Sequence, residues 1–596
     1  MYIVKKKVNG KDYYYLQKSI RQGEKIISKS VAYLGKDFEE AKLRAEILKK
    51  EFNEKEMEEF DNMMHGGKEQ NSDVRKLESI EELANFCKEK GFVFRSSDIY
   101  GGFSGFWDFG PLGVELFNNI KKHWWNYFVM QKNNMVGMEA SIISHPDIWA
   151  ASGHVANFSD VAVVCKKCNK ATKIDKSEYE KAMLSQTLNS HESSGVGRVK
   201  CDCGGEYEVK GEFSLMFKTS VGALDKSDAY LRGETAQGMF TDFKNIFQTS
   251  RMQLPFGVAQ IGRCFRNEIA PRDFLFRSRE FHIGEFEFFI NPSEISCSLL
   301  NDKHRQVKLR LLDAETQVAS RDELKNTTIG KMLEENRLEE WHGYWLAEQI
   351  LWFNSLGLKE IKIREHRKDE LSHYSSATFD IDYEYVFGSR EVAGNANRGQ
   401  FDLTNHQKHS GVSMEVFDEK TKSKVIPKVI EPTFGMERVF LAILTKAYNY
   451  DLKRDYIVLK IPAILAPIKA AVFPIIKQPE YEKIAEDIVF DLRKEWNILY
   501  DKGGSIGRRY ARNDEIGTPY CITVDSDSIA NQDVTIRDRD STIQIRVKVK
   551  KLKETMRDLI NGDVNFIKAG KLVQTRVKKE EKKEIEDNFV KEEKKE

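Results

Sequence analysis

This 596-residue chain is short of three things, and each shortage excludes something. It has no run of about 18 apolar residues, so no ordinary membrane-spanning helix is expected. Its opening, MYIVKKKVNGKD, has no apolar h-region, so no secretory leader is expected and the expected compartment is the cytoplasm. Neither sign of charge is in excess: 94 Lys and Arg face 93 Asp and Glu. Bulk electrostatics therefore selects no partner, and any nucleic-acid footprint has to be local. Cysteine is sparse. Of the eight present, Cys87, Cys264, Cys297 and Cys521 are scattered, which fits a reducing compartment better than a disulfide framework.

What is present is a globular composition, 40% hydrophobic and 11% aromatic, long enough for three to five domains. Residues 1–36 alternate polar and apolar with a turn signal at Asn9-Gly10, which predicts a small antiparallel sheet. A helix is expected over about 38–60. Residues 1–50 carry 11 Lys and 2 Arg against 6 acids, so 1–60 reads as a basic accessory domain, either simply solvated or touching nucleic-acid phosphate. A linker follows at 61–75. Glycine-punctuated aromatics, GFVFRSSDIYGGFSGFWDFGPLG, open a large unit expected at 76–450. Inside it, 160–212 reads as an insertion and 297–345 as a second, helical one. From 455 to 562, strand and helix signals alternate as in a small α/β domain. The charged end, 563–596, reads as a solvated tail.

The other four cysteines cluster. Cys165-Lys-Lys-Cys168 and Cys201-Asp-Cys203-Gly-Gly are separated by 32 residues. Two tight turns that each supply two thiolates suit a tetrahedral Zn²⁺ with no open position, hence a structural metal. Reduced thiols without metal and disulfides are the alternatives. The second pair is CxC rather than CxxC, and His191 is a substitute ligand.

The densest charge lies in GRCFRNEIAPRDFLFRSREF, residues 262–281, where five arginines stand among aromatic rings. Read as strand, loop and strand, it puts Arg266, Glu268, Arg277, Arg279 and Phe281 on one surface. Arginine forks suit phosphate and a ring suits a base. A cross-strand charge ladder explains the same spacing without a ligand.

Arg266-Asn-Glu268 followed by Arg277–Phe281 resembles motif 2 of the class II aminoacyl-tRNA synthetases, and EPTFGMERVFLAIL, with Arg438, resembles motif 3. ASGH, LMFKTSVG, YLRGETAQGMF, ANRGQFDLTNH and VIEPTFG are similar to the homodimeric glycyl-tRNA synthetases over about 76–290 and 345–560. Gly233 stands where that family has proline, and Thr433 where it has serine. The resemblance implies an α+β chain. Its parts are an antiparallel-sheet catalytic domain of subclass IIa with a zinc-ribbon-like and a helical insertion, an α/β anticodon-binding domain, and a small α+β N-terminal extension. It implies glycine activation by ATP with Mg²⁺, transfer to tRNA(Gly), and a homodimer away from any membrane. Arg266, Glu268 and Arg438 are implied as catalytic, and Arg277, Phe281 and Glu391 as further ATP contacts. Glu234, Glu285, Glu431 and Thr433 are implied around glycine, with Glu391 or Glu431 at Mg²⁺. Arg398 is expected to brace the site and His154 to be structural, while Arg508, Arg509 and Arg512 would meet the anticodon loop. A synthetase-like protein that has lost catalysis is the rival, and the intact Arg266, Glu268, Phe281 and Arg438 speak against it.

Overall fold

The computed structural model describes residues 2–8, 11–22, 25–35, 74–175, 201, 203–372 and 374–573. The expected helix at 38–60, the linker up to residue 73, His191 and most of the charged tail lie outside them. The chain divides into two compact units, Met1–Val74 and Arg75–Glu596. In the first, Tyr2–Val8, Lys11–Gln22 and Lys25–Gly35 form a three-stranded antiparallel sheet. Val8 pairs with Lys11, and the expected turn at Asn9-Gly10 lies outside the described residues.

The second unit is organised by a nine-stranded, mainly antiparallel sheet. Its strands are β1 (Met135–Gly137), β2 (Phe256–Phe265), β3 (Glu280–Ile290), β4 (Lys308–Leu312), β5 (Lys325–Thr328), β6 (Ile361–Glu365), β7 (Ala377–Tyr385), β8 (Gly388–Gly399) and β9 (Lys428–Gly435). They lie in the order β5-β4-β6-β7-β8-β9-β3-β2-β1. The region 297–345 is therefore not a helical insertion. It contains β4 and β5, which extend the sheet edge, with one short helix, Ala314–Val318, between them and the start of helix Glu340–Ser355 at its end. β5 is the edge strand and β4 lies just inside it; both are brief and carry Lys or Arg, a composition that also reads as an exposed helix.

Strand β3 shows how the sheet sorts its two faces. Its even residues Phe286 and Phe288 pack on Trp345 and Trp341 of helix Glu340–Ser355, with ring centroids 4.6–5.1 Å apart. Helices Pro111–Trp125 and Met436–Ala447 complete that layer, burying Leu116, Ile120 and Trp124, and Val439, Phe440 and Ile443. The odd residues Glu285 and Glu287 point to the opposite face, where carboxylates would be unaffordable unless they had a use.

Residues 159–214 leave this body as an arm. Strands Ser159–Cys165, Ala171–Asp175 and Tyr207–Ser214 form its antiparallel sheet. Beyond residue 465 a six-stranded mixed sheet carries helices Pro479–Leu492, Ile506–Glu515 and Val549–Asn561 around a core of its own. It is fastened to the strand pair Tyr448–Asp451 and Tyr456–Leu459 through Asp514, which is fully buried. Asp514 accepts both Arg537 nitrogens at 2.8 and 2.9 Å, Arg454 at 3.1 Å and the Tyr456 hydroxyl at 3.0 Å. Lys90 and Glu515, 2.9 Å apart, add a surface bridge. No helix among the described residues is long and apolar enough to cross a membrane.

Candidate active site

The antiparallel pair β2–β3 begins the site. Cys264 lies opposite Phe281, and the Arg266 amide donates to the Arg279 carbonyl at 2.9 Å, closing the loop between them. Strand β2 ends at Phe265, so Arg266 and Glu268 stand just past the strand rather than on it. The loop is sharply turned: Asp273 and Phe274 both take left-handed backbone, φ 58° and 57°. Trp107 meets the Phe274 ring edge-on at 4.8 Å and holds it there. Arg279, drawn in the sequence onto the ligand surface, is instead a brace; it donates to the Glu268 and Ser104 carbonyls.

Strand β9 runs beside β3 and leads directly into helix Met436–Ala447, which delivers Arg438. One cleft of about 360 Å³ is thus lined by Arg266, Glu268, Arg277, Phe281, Glu391, Thr433 and Arg438. Arg438 stacks on Phe276 at 4.5 Å and meets the Glu391 carboxylate at 3.2 Å and its carbonyl at 3.0 Å. Arg266 donates to the Gly233 carbonyl at 3.1 Å. It makes no ion pair among the described residues, so its charge faces the cleft uncompensated.

Behind the cleft lies a buried ionic cluster. Thr433 donates to Glu285 at 3.0 Å, and Thr235 donates to the other oxygen of the same carboxylate. Glu234 meets His154 at 3.0 Å and Gln237 at 3.0 Å. Burial alone would raise the Glu234 carboxyl, but His154 and Arg398 outweigh it and hold it well below the usual range. Glu285 goes the other way, pushed up by burial and by Glu234. Arg398, 2% exposed, grips Asp402 through two bonds of 2.7 and 2.8 Å and Glu431 through one of 2.7 Å, with the Tyr374 ring 3.8 Å from the guanidinium. Even so, burial keeps Glu431 well above the ordinary carboxylate range. Glu431 therefore belongs to Arg398 and is absent from the cleft wall, whereas Glu391, the other carboxylate implied for magnesium, lines it.

Several members of this cluster were missed in the sequence. Glu287 lies two residues from Glu285 on the same face of β3, a period-2 signal that was readable. Its two oxygens have no hydrogen-bond partner, and the carboxylates of Glu285, Glu287 and Glu431 lie within 4.8 Å of one another. Asp402, four residues from Arg398 at the start of a helix, was also readable. Gln237, whose amide nitrogen bridges Glu234 and Asp402 and whose amide oxygen accepts from His406 Nε2 at 2.8 Å, was not.

At the arm's tip the four cysteines meet. Cys165 and Cys203 sulfurs are 3.5 Å apart, and those of Cys168 and Cys201 are 3.6 Å apart. A tetrahedron with Zn–S bonds of 2.3 Å has sulfurs roughly 3.8 Å apart, so the set fits zinc. Gly205 is required here, because a Cβ would stand 2.6 Å from the Cys165 sulfur. In the C-terminal domain two of the three arginines expected to meet RNA are engaged by the domain itself, one buried and one at the surface. Arg509 is buried and donates to the Pro474 and Ile475 carbonyls, and Arg512 is occupied by Asp501 and the Gly503 carbonyl. Arg508 and Arg512 are both exposed, and only Arg509 is buried.

An antiparallel sheet with two arginines and a stacking ring converging on one cleft defines a class II aminoacyl-tRNA synthetase centre. Residues 469–559 match the anticodon binding domain family. The glycine–tRNA ligase of Bifidobacterium longum (strain NCC 2705) is 40% identical over 495 residues, covering 80% of this chain and 91% of its own. That of Clostridium kluyveri is 40% identical over 503 residues, covering 81% and 98%, and that of Mycolicibacterium vanbaalenii 38% over 505, covering 81% and 98%. A solved prolyl-tRNA synthetase from Cryptosporidium parvum superposes on 80% of this chain and 76% of its own at a TM-score of 0.47 and 14% identity, too distant to carry weight. This chain belongs to the glycine–tRNA ligase family.

Proposed function

We propose that this chain activates glycine with ATP and transfers it to the 3′ end of tRNA(Gly). One glycine carboxylate oxygen bonds to the α-phosphorus, the bond from that phosphorus to the bridging oxygen breaks, and pyrophosphate leaves. The ribose hydroxyl of the tRNA terminus then attacks the glycyl carbonyl and AMP departs. The observation that best supports this reading is the single cleft on which Arg266 and Arg438 converge from separate parts of the sequence, with Phe281 between β2 and β9. Preorganised cations facing developing phosphoryl charge are the dominant catalytic term in such chemistry. Arg266 would hold the α-phosphate and the reacting carboxylate. Phe281 would stack on adenine, with Glu268 at its amino group, and Arg438 and Arg277 would take the outer phosphates. Magnesium, when bound, neutralises phosphate charge, and Glu391 would hold it.

Glycine offers only an ammonium and a carboxylate. Thr433 and Glu285, tied together at 3.0 Å, form the acceptor end nearest the cleft, with Glu234 and Glu431 supplying negative potential from behind. Larger amino acids would be excluded by lack of space. Zinc at Cys165, Cys168, Cys201 and Cys203 would be structural. The arrangement as subclass IIa, the homodimer, the cytoplasmic location and the anticodon role of residues 455–562 rest on the sequence resemblance and on the family match. Glycine-dependent ATP–pyrophosphate exchange tests the reading. Purified protein should exchange with glycine and not with proline, threonine or serine, and Arg438→Ala should lower the rate about 10²–10³-fold. Pure protein without glycine-dependent exchange would instead mark a non-catalytic relative.

A further inference from the structure

The cysteine arm is rooted in the nucleotide cleft. It leaves at Phe158 and returns at Leu215, and both residues line the cleft wall. The Leu215 amide donates to the Phe158 carbonyl at 3.1 Å, and the Leu215 carbonyl accepts the Asn267 amide at 2.8 Å, one residue from Arg266. The two roots are therefore fixed to each other and to the start of the arginine loop.

Phe158 also reaches Arg266 directly. The guanidinium carbon lies 5.2 Å from the centre of the Phe158 ring and 5.4 Å from that of Phe281. A carboxylate partner, as Glu391 is to Arg438, offsets part of the charge that an anionic ligand needs. Aromatic faces aim a guanidinium while leaving its charge available. Arg266 is held in this way, by two rings and the Gly233 carbonyl, with no ion pair among the described residues. The same Phe158 ring meets His154 edge-on at 5.3 Å, and His154 is the partner of Glu234. One side chain thus touches the phosphate arginine and the support of the glycine-side carboxylate.

We infer that Phe158 is a positioning residue for glycine activation: its ring orients Arg266 toward the nucleotide without neutralising it. The inference rests on reading Arg266 as the phosphate-binding arginine, and the test separates the two. Glycine-dependent ATP–pyrophosphate exchange is measured on the full chain carrying Phe158→Leu, Phe158→Tyr, Arg266→Gln, or Phe158→Leu with Arg266→Gln. Phe158→Leu, which removes the ring, should lower kcat/KM for ATP about fivefold, while Phe158→Tyr stays within about twofold of the parent. In the Arg266→Gln background the Leu substitution should add nothing further, a coupling that a merely structural role would not produce. If Phe158→Leu lowers the unfolding temperature, Phe158→Met, also without a ring, makes the same comparison. Ringless variants that match the parent, a Tyr variant that falls as far as Leu, or simple additivity with Arg266→Gln would each overturn the inference. Undiminished exchange in Arg266→Gln alone would instead overturn the reading beneath it.

Discussion

Replacing Arg398 by methionine keeps much of the side-chain volume and deletes one charge at the centre of the buried cluster. In the native fold that charge is shared between Asp402 and Glu431 through three bonds of 2.7–2.8 Å, with side-chain exposures of 1% for Arg398 and Asp402 and 7% for Glu431. Removing one partner of a buried ion pair costs about 3–5 kcal/mol, because the charge left behind is stranded. Two carboxylates are stranded here, but they are unequal. Glu431 is already pushed well above the ordinary range by burial, so it takes up a proton readily. Asp402 keeps only its bond from Gln237 at 3.1 Å. The lower figure, about 3 kcal/mol, is therefore expected. Unfolding entropy is about 2.1 cal/mol/K per residue, so over residues 76–450 the unfolding midpoint should fall by about 4 °C. Calorimetry or circular dichroism at neutral pH measures this in the full chain. Combining Arg398→Met with Asp402→Asn should recover part of the loss, since the second change removes the stranded charge. An unchanged midpoint for Arg398→Met, or a double variant as unstable as the sum of the two singles, would refute the account of the hub.

The cysteine arm should carry one zinc per chain by elemental analysis, and Cys168→Ser or Cys201→Ser should abolish it; protein purified without chelators yet metal-free would sink the assignment. Glu287 should make stability fall with pH. Burial, then the Glu431 carboxylate, raises it well above the ordinary glutamate value of 4.5, so the folded chain holds a proton that the unfolded chain releases. Stability from this group is complete below pH 4.5 and is lost as pH rises through the raised value. Glu287→Gln should flatten that slope by up to about 1.4 kcal/mol per pH unit, and identical slopes would show that Glu287 is ionised in the fold.

Residues whose role follows from local spacing were readable in the sequence. The resemblance to class II motifs 2 and 3 implied that Arg266, Phe281 and Arg438 belong together, and they line one cleft. The alternating elements after residue 465 were readable for the same reason, since a helix or strand period is written in adjacent residues. Roles set by distant partners were not. Arg509 has the composition of an RNA contact, but carbonyls of Pro474 and Ile475, some 35 positions away in the chain, capture it. The 297–345 region misled because its strands are only five and four residues long, too short for a period to stand out among charged neighbours. Glu287 lay in plain view within HIGEFEF, yet an acid gains its meaning only from Glu431, which the chain reaches after another 143 residues.

The saturated Asp514 carboxylate has a consequence for how the molecule could measure a long substrate. Each of its acceptor positions is taken by an arginine or a tyrosine drawn from either side of the joint, so turning one domain against the other would leave an anion without partners. Such a joint behaves as a rivet rather than a hinge. The separation between the cleft and the C-terminal domain is then a fixed length built into the chain, against which an RNA of the wrong reach would fail to touch both ends at once.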